Sequence, residues 1–124
     1  MNVVATKQAP AAIGPYSQGI IINGLLFTSG QIPLDPATGK LVEGSIGDRA
    51  RRCLDNLAAI AQAAGTSLDK AVKVTVFLTD IGDFKQVNEV YGSVFKEPYP
   101  ARSAIQVAAL PMGADVEIEA VLAV

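Results

Sequence analysis

Along Ala71-Val72-Lys73-Val74-Thr75-Val76-Phe77-Leu78-Thr79 every even position is aliphatic, whereas the odd positions mix Lys73, Thr75, Phe77 and Thr79. Successive side chains of a strand point to opposite faces, so this pattern predicts a strand with one core face and one mixed face. Asp115-Val116-Glu117-Ile118-Glu119-Ala120-Val121-Leu122 repeats the pattern, with Val116, Ile118, Ala120 and Leu122 on one side and the acids on the other. Two such strands demand a sheet that is covered on its aliphatic side only.

The rest of the chain supplies the cover. Ser45-Ile46-Gly47-Asp48 resembles a capping box, and apolar residues recur at Ala50, Cys53, Leu54, Leu57, Ile60, Ala61 and Ala64 before Gly65, which predicts an amphipathic helix over Ile46 to Ala64. Asp83 with Gln86 is expected to open a second helix with the stripe Phe84, Val87, Tyr91, Val94 and Phe95, ending before Pro98. Asn23-Gly24 separates the β-rich runs Gly19 to Ile22 and Leu25 to Ser29 and suits a type I′ turn, which requires positive φ at both positions. Gly30 to Gly44 reads as a turn-rich excursion with a small ribbon. Pro100 to Val107 reads as a further strand before the last one.

The order strand-strand, helix, strand, helix, strand-strand, undivided by repeat or linker, predicts one α+β domain over residues 1–124, a single sheet with both helices on one face. Val72, Val74, Val76 and Leu78 are expected to meet the helices. The opposite face is expected to carry Lys73, Phe77, Arg102, Gln106, Glu117, Glu119 and Val121, too apolar for free solvent and too polar for a core. A subunit interface containing a polar site fits that mixture. Half the residues are hydrophobic and the mean hydropathy is +0.34, which also favours a homo-oligomer.

Composition excludes several chemistries. A net charge of −2 and a pI near 5.0 leave no basic footprint for nucleic acid or anionic lipid. With one cysteine and no histidine, a disulfide framework, the usual zinc sites and Ser/His or Cys/His nucleophiles cannot be built, so no metal is expected. Met1 to Pro15 lacks a basic flank followed by an apolar stretch, and no apolar run is long enough to span a bilayer, so the expected compartment is the cytosol.

The remaining candidates are Arg, Glu, Tyr, Ser, Asn and backbone groups. Arg102 has a planar fork that suits a carboxylate, which is either a ligand's or that of Glu117 or Glu119 in a structural ion pair. Glu117 and Glu119 share a face and either can hold or deprotonate a water, although paired acids on a sheet are also commonly solvated. Ser29-Gly30-Gln31 offers a hydroxyl and backbone N–H groups to an oxyanion or is simply a turn. Tyr16, beside Gly14-Pro15, lines a site or packs on the sheet. Asn88 is a ligand contact or a clamp between helix and loop. Cys53 is core filler.

Taken together, Ala11-Ala12-Ile13-Gly14-Pro15-Tyr16-Ser17-Gln18, Thr28-Ser29-Gly30-Gln31-Ile32-Pro33, Val74-Thr75-Val76-Phe77-Leu78 with Asp83-Phe84 and Val87-Asn88, and Pro100-Ala101-Arg102-Ser103 ending in Val116-Glu117-Ile118-Glu119-Ala120 resemble the RidA (YjgF-type) family of reactive-intermediate deaminases. The resemblance implies a chorismate-mutase-like fold in a homotrimer, whose three sheets form a central barrel with clefts between neighbouring subunits. It implies hydrolysis of 2-imino acids such as 2-iminobutanoate and 2-iminopropanoate, released by pyridoxal-phosphate-dependent dehydratases, to 2-oxo acids and ammonia without metal or organic cofactor. It further implies that Arg102 binds the substrate carboxylate and Glu117 holds the water, with Tyr16, Ser29, Gly30 and Asn88 lining the cleft and Glu119 structural. Many members carry a cysteine where this chain has Ala104, so only the backbone carbonyl at that position is carried over. Two rival readings use the same scaffold: a non-catalytic sensor of small carboxylates or chaperone-like interaction protein, and an RNA-acting protein, which the acidic pI disfavours.

Overall fold

A computed structural model describes all 124 residues. Six strands, β1 (Asn2–Val4), β2 (Gly19–Ile22), β3 (Leu25–Thr28), β4 (Ala71–Leu78), β5 (Ala101–Gln106) and β6 (Val116–Ala123), form one sheet in the order β1-β2-β3-β6-β4-β5. Only the β4–β5 pair is parallel. Two helices, α1 (Ile46–Ala63) and α2 (Phe84–Val94), pack on one side, so the α+β, single-sheet expectation holds. The strand β1, too short to show an alternation, is an addition to the expected order.

Local chemistry sets the helix ends. Ser45 Oγ accepts from the Asp48 N–H at 3.1 Å while Asp48 Oδ2 accepts from the Ser45 N–H at 3.1 Å, the reciprocal bonds of a capping box. After the C-cap residue Ala64, Gly65 takes φ +81°, a conformation that costs glycine nothing and stops the helix. The second helix begins differently from the expectation. Asp83 is already helical and its side chain makes no capping bond; Asp80 instead accepts from the Gly82 N–H at 2.8 Å and starts a 3-10 turn that runs into α2. At the hairpin, Asn23 and Gly24 have φ +52° and +74°, as a type I′ turn requires. The excursion after β3 closes as a single bridge between Leu34 and Leu41.

The core is the aliphatic face of the sheet against the stripes of α1 and α2. Val74, Val76, Leu78, Val116, Ile118 and Leu122 are each no more than 1 % exposed and meet Cys53, Leu54, Leu57 and Ile60 of α1 and Val87, Tyr91 and Phe95 of α2 or its end. Val72 departs from the expectation: it is 47 % exposed. A bulge pairs Ala71 with Leu122 and Lys73 with Val121, so Val72 drops out of the alternation.

The other side of the sheet is bare within this chain. Residues opposite one another in the register share a face, which places Val3, Ile20, Phe27, Val121, Lys73, Thr75, Phe77, Glu117, Glu119, Ser103 and Ile105 there. Arg102 and Gln106 do not belong to that set, contrary to expectation. They lie opposite Val74 and Leu78, on the helix side. The physical reason is the position of β5 at the sheet edge, where the helix layer thins and a polar side chain reaches water without crossing the core. No helix is long and apolar enough to cross a membrane.

Candidate active site

The sequence-predicted site residues fall into two groups on opposite faces of the sheet. The first group surrounds Arg102. Its guanidinium carbon sits 5.0 Å from the Phe84 ring centroid and 4.7 Å from that of Tyr91, and NH1 donates to Asn88 Oδ1 at 2.6 Å. All three partners come from α2, at the helical spacing that stacks residues 84, 88 and 91 on one side. Asn88 and the aromatic faces hold the fork in place without neutralising it. Neither Glu117 nor Glu119 pairs with it; the ion pair of this chain is Arg49 with Asp115, at 3.2 Å. A cavity of about 330 Å³ opens here, lined by Asn88, Tyr91, Gly92, Tyr99, Pro100 and Arg102. The Tyr91 hydroxyl is buried without a partner, and burial, opposed by the nearby Arg102 charge, raises its pKa. Ala104 lies on the same side of β5, opposite Val76.

The second group surrounds Glu117. A cavity of about 520 Å³ is lined on its polar side by Tyr16, Ser29, Gly30 and Glu117, and on its apolar side by Ala11, Ile13, Ile32, Leu34, Pro111 and Met112 among others. The Gln31 N–H donates to the Ile118 carbonyl at 2.8 Å and the Ile118 N–H returns a bond at 3.0 Å, which lays Ser29-Gly30 against Glu117. The approach is so close that a Cβ on Gly30 would stand 2.7 Å from Cδ and Oε2 of Glu117. Only glycine permits it. Burial, and secondarily the charge of Glu119, raises the Glu117 pKa. A carboxyl so placed is a better proton acceptor than an exposed glutamate. The Ser29 hydroxyl donates to the Ser17 carbonyl at 2.5 Å, so its oxygen remains as an acceptor while its proton is committed. Tyr16 is 51 % exposed at the cavity rim.

Sequence reasoning missed the residues that hold these groups. Phe84 and Tyr91 belong to the apolar stripe of α2, and their second use as a bed for Arg102 follows only from the face of β5 on which Arg102 lies. Gln18, Gln31 and Asn56 are the buried polar side chains of the chain; Gln31 lines the Glu117 cavity, and Gln18 and Asn56 donate to the backbone carbonyls of its lining residues Pro10, Ile32 and Leu34. Asn56 carried a signal, since position 56 is three residues after Cys53 and four before Ile60, inside the apolar stripe of α1. Cys53 lies on that stripe, and burial pushes its thiol pKa up, so it is core filler as expected. No three Cys, Asp or Glu side chains converge where a metal would be held.

The model of the family described as endoribonuclease L-PSP matches residues 6–124. The chain belongs to that family, the one that includes RidA. A RutC family protein from Sinorhizobium fredii is 56 % identical over 119 residues, covering 96 % of this chain and 94 % of the relative. The 2-iminobutanoate/2-iminopropanoate deaminase of Homo sapiens is 50 % identical over 120 residues, covering 97 % of this chain and 88 % of the relative. The crystal structure of E. coli TdcF with bound serine aligns with a TM-score of 0.94 at 43 % identity, covering 100 % of this chain and 99 % of the other. The family and its fold were both expected from the sequence.

Proposed function

We propose that the chain hydrolyses 2-imino acids, 2-iminobutanoate and 2-iminopropanoate in particular, to 2-oxo acids and ammonia in the cytosol, without metal or organic cofactor. The observation that carries this reading is the division of the site. Arg102, oriented but uncompensated, and Glu117, raised in pKa within a half-apolar cavity, lie on opposite faces of one sheet. A small substrate can meet both only if they come from neighbouring chains. The bare face is suited to such neighbours, since Val3, Ile22, Phe27 and Ile105 are 65, 42, 43 and 44 % exposed on it. Three copies closing their sheets into a barrel would bury those side chains and make three equivalent clefts.

In each cleft Arg102 binds the substrate carboxylate by paired charge-assisted hydrogen bonds, with Asn88 holding the fork. The hydrocarbon side chain lies against the apolar wall of the Glu117 cavity. Glu117 takes a proton from a water whose oxygen forms a bond to the imine carbon, while the carbon–nitrogen π pair moves to nitrogen. Glu117 then returns the proton to nitrogen and takes the hydroxyl proton as the carbon–oxygen double bond forms and the carbon–nitrogen bond breaks, which releases ammonia and leaves a 2-oxo acid. The Ala104 carbonyl, two residues beyond Arg102, helps to position the nitrogen or the water. A protonated imine is already electrophilic, so positioning supplies most of what is needed. The identity to the human deaminase supports this reaction. The net charge of −2 gives no support to a nucleic-acid partner.

The test is ammonia release from freshly generated 2-iminobutanoate in a coupled assay, with the uncatalysed rate as reference. Acceleration proportional to protein concentration is expected. The serine bound to TdcF favours one other reading, a sensor of small carboxylates. Binding of 2-oxobutanoate with no acceleration would establish it in place of the deaminase.

A further inference from the structure

A buried amide in an apolar interior is costly unless its hydrogen bonds are made, and two of this chain's buried amides make theirs to backbone that lines the Glu117 cavity. Gln18, 4 % exposed, accepts from the Thr6 N–H at 2.7 Å and donates through Nε2 toward the carbonyls of Thr6, Ala9 and Pro10 at 3.0, 3.3 and 2.7 Å. It thereby ties down the segment that carries Pro10, Ala11 and Ile13, one wall of the Glu117 cavity. Asn56, fully buried on α1, donates through Nδ2 to the carbonyls of Leu34 at 3.0 Å and Ile32 at 3.4 Å, so it anchors Ile32 and Leu34, a second stretch of the cavity lining. Its orientation is not free. Arg52 directs Nε and NH2 at Oδ1 at 3.1 and 2.8 Å, and since a guanidinium only donates, the atom it meets must be the oxygen and the NH2 must face the loop.

We infer that Gln18 and Asn56, the latter locked by Arg52, are positioning residues that set the width of the Glu117 cavity and so determine which substrate side chains it accepts. The inference rests on the 2-imino acid reading for the identity of the ligand. In a fitted apolar pocket one methylene changes selectivity by roughly ten- to two-hundredfold, so a wall released by even a fraction of an ångström alters the ratio between long and short ligands. A merely structural amide would weaken all ligands alike.

The experiment compares wild type with Arg52→Met, Asn56→Leu and Gln18→Met. Calorimetry gives the Kd values for 2-oxopropanoate, 2-oxobutanoate and 4-methyl-2-oxopentanoate, and the coupled assay gives kcat/KM for the corresponding imines. Arg52 is only half-buried, so Arg52→Met keeps the test open should either amide variant fail to fold. The expected result in Arg52→Met is a change of about threefold or more in the long-to-short affinity ratio, with KM moving more than kcat. Ratios in Arg52→Met equal to wild type, or a uniform loss across all three ligands, would overturn the inference. Wild-type protein that discriminates 2-oxo acids without releasing ammonia, with the ratio still shifted in Arg52→Met, would overturn the deaminase reading and leave the inference standing.

Discussion

Gly30→Ala tests the closest approach in the proposed site. The new Cβ would sit 2.7 Å from both Cδ and Oε2 of Glu117. Carbon atoms rest at about 3.5–4.0 Å, so the carboxylate must retreat by roughly 1 Å or the Ser29-Gly30-Gln31 backbone must give way. The backbone is the stiffer partner, because Gln31 exchanges two hydrogen bonds with Ile118 and the Ser29 N–H donates to the Gln18 carbonyl at 2.9 Å. Glu117, half-exposed and on a flexible side chain, therefore moves. Misplacing a reacting group by about 1 Å costs on the order of a hundredfold, equivalent to about 2.7 kcal/mol of barrier. The expected outcome is a kcat/KM for 2-iminobutanoate reduced by about two orders of magnitude, with most of the loss in kcat and little change in Tm. Binding of 2-oxobutanoate, which depends chiefly on Arg102, should weaken by less than about tenfold. The coupled ammonia assay and calorimetry provide both numbers. A kcat/KM within about threefold of wild type would mean that the Glu117 carboxylate need not stand where it does, and the general-base argument would fail.

Arg102→Lys keeps the charge but loses the fork, and at ~1.5–3 kcal/mol for a charge-assisted hydrogen bond the expected drop in kcat/KM is roughly ten- to a hundredfold, with 2-oxo acid affinity falling in parallel by calorimetry. Glu119→Gln removes the charge that adds to burial in raising the Glu117 pKa, so the acid limb of the kcat/KM profile should move to lower pH. The raised pKa means that folded Glu117 binds its proton more tightly than the unfolded chain does. Stability therefore falls as pH rises from the unfolded to the folded pKa, and Glu117→Gln should raise Tm above that interval and bring no such gain below it. Sedimentation equilibrium should give three times the chain mass of 12.9 kDa, and Phe27→Asp, on the bare face, should yield monomers that bind 2-oxo acids weakly and release no ammonia.

How far the sequence was legible depends on what each pattern can encode. Alternation states which residues of a strand share a face, and in β4 and β6 the aliphatic set also says which face is inside, because only one choice buries Val74, Val76, Ile118 and Leu122. Both strands and the cover of α1 and α2 were therefore readable. The bulge at Val72 was not, since one residue slipping out of register leaves no mark in composition. In β5 the alternation has no such anchor. Ala101, Ser103 and Ile105 on one side and Arg102, Ala104 and Gln106 on the other contain no set that must be buried, and at the sheet edge neither face lies fully under a helix. Placing Arg102 beside Glu117 was the natural reading, and the register with β4 reverses it. The reversal removes the alternative of an ion pair within the chain, since no rotamer carries a guanidinium through a sheet. It leaves Arg102 a fork held by Asn88, with its charge unanswered by any carboxylate of its own subunit. In the proposed assembly a ligand carboxylate brought to it from a neighbouring copy's Glu117 cavity would answer that charge, and the neighbour would cover the bare apolar face around Phe27 and Ile105.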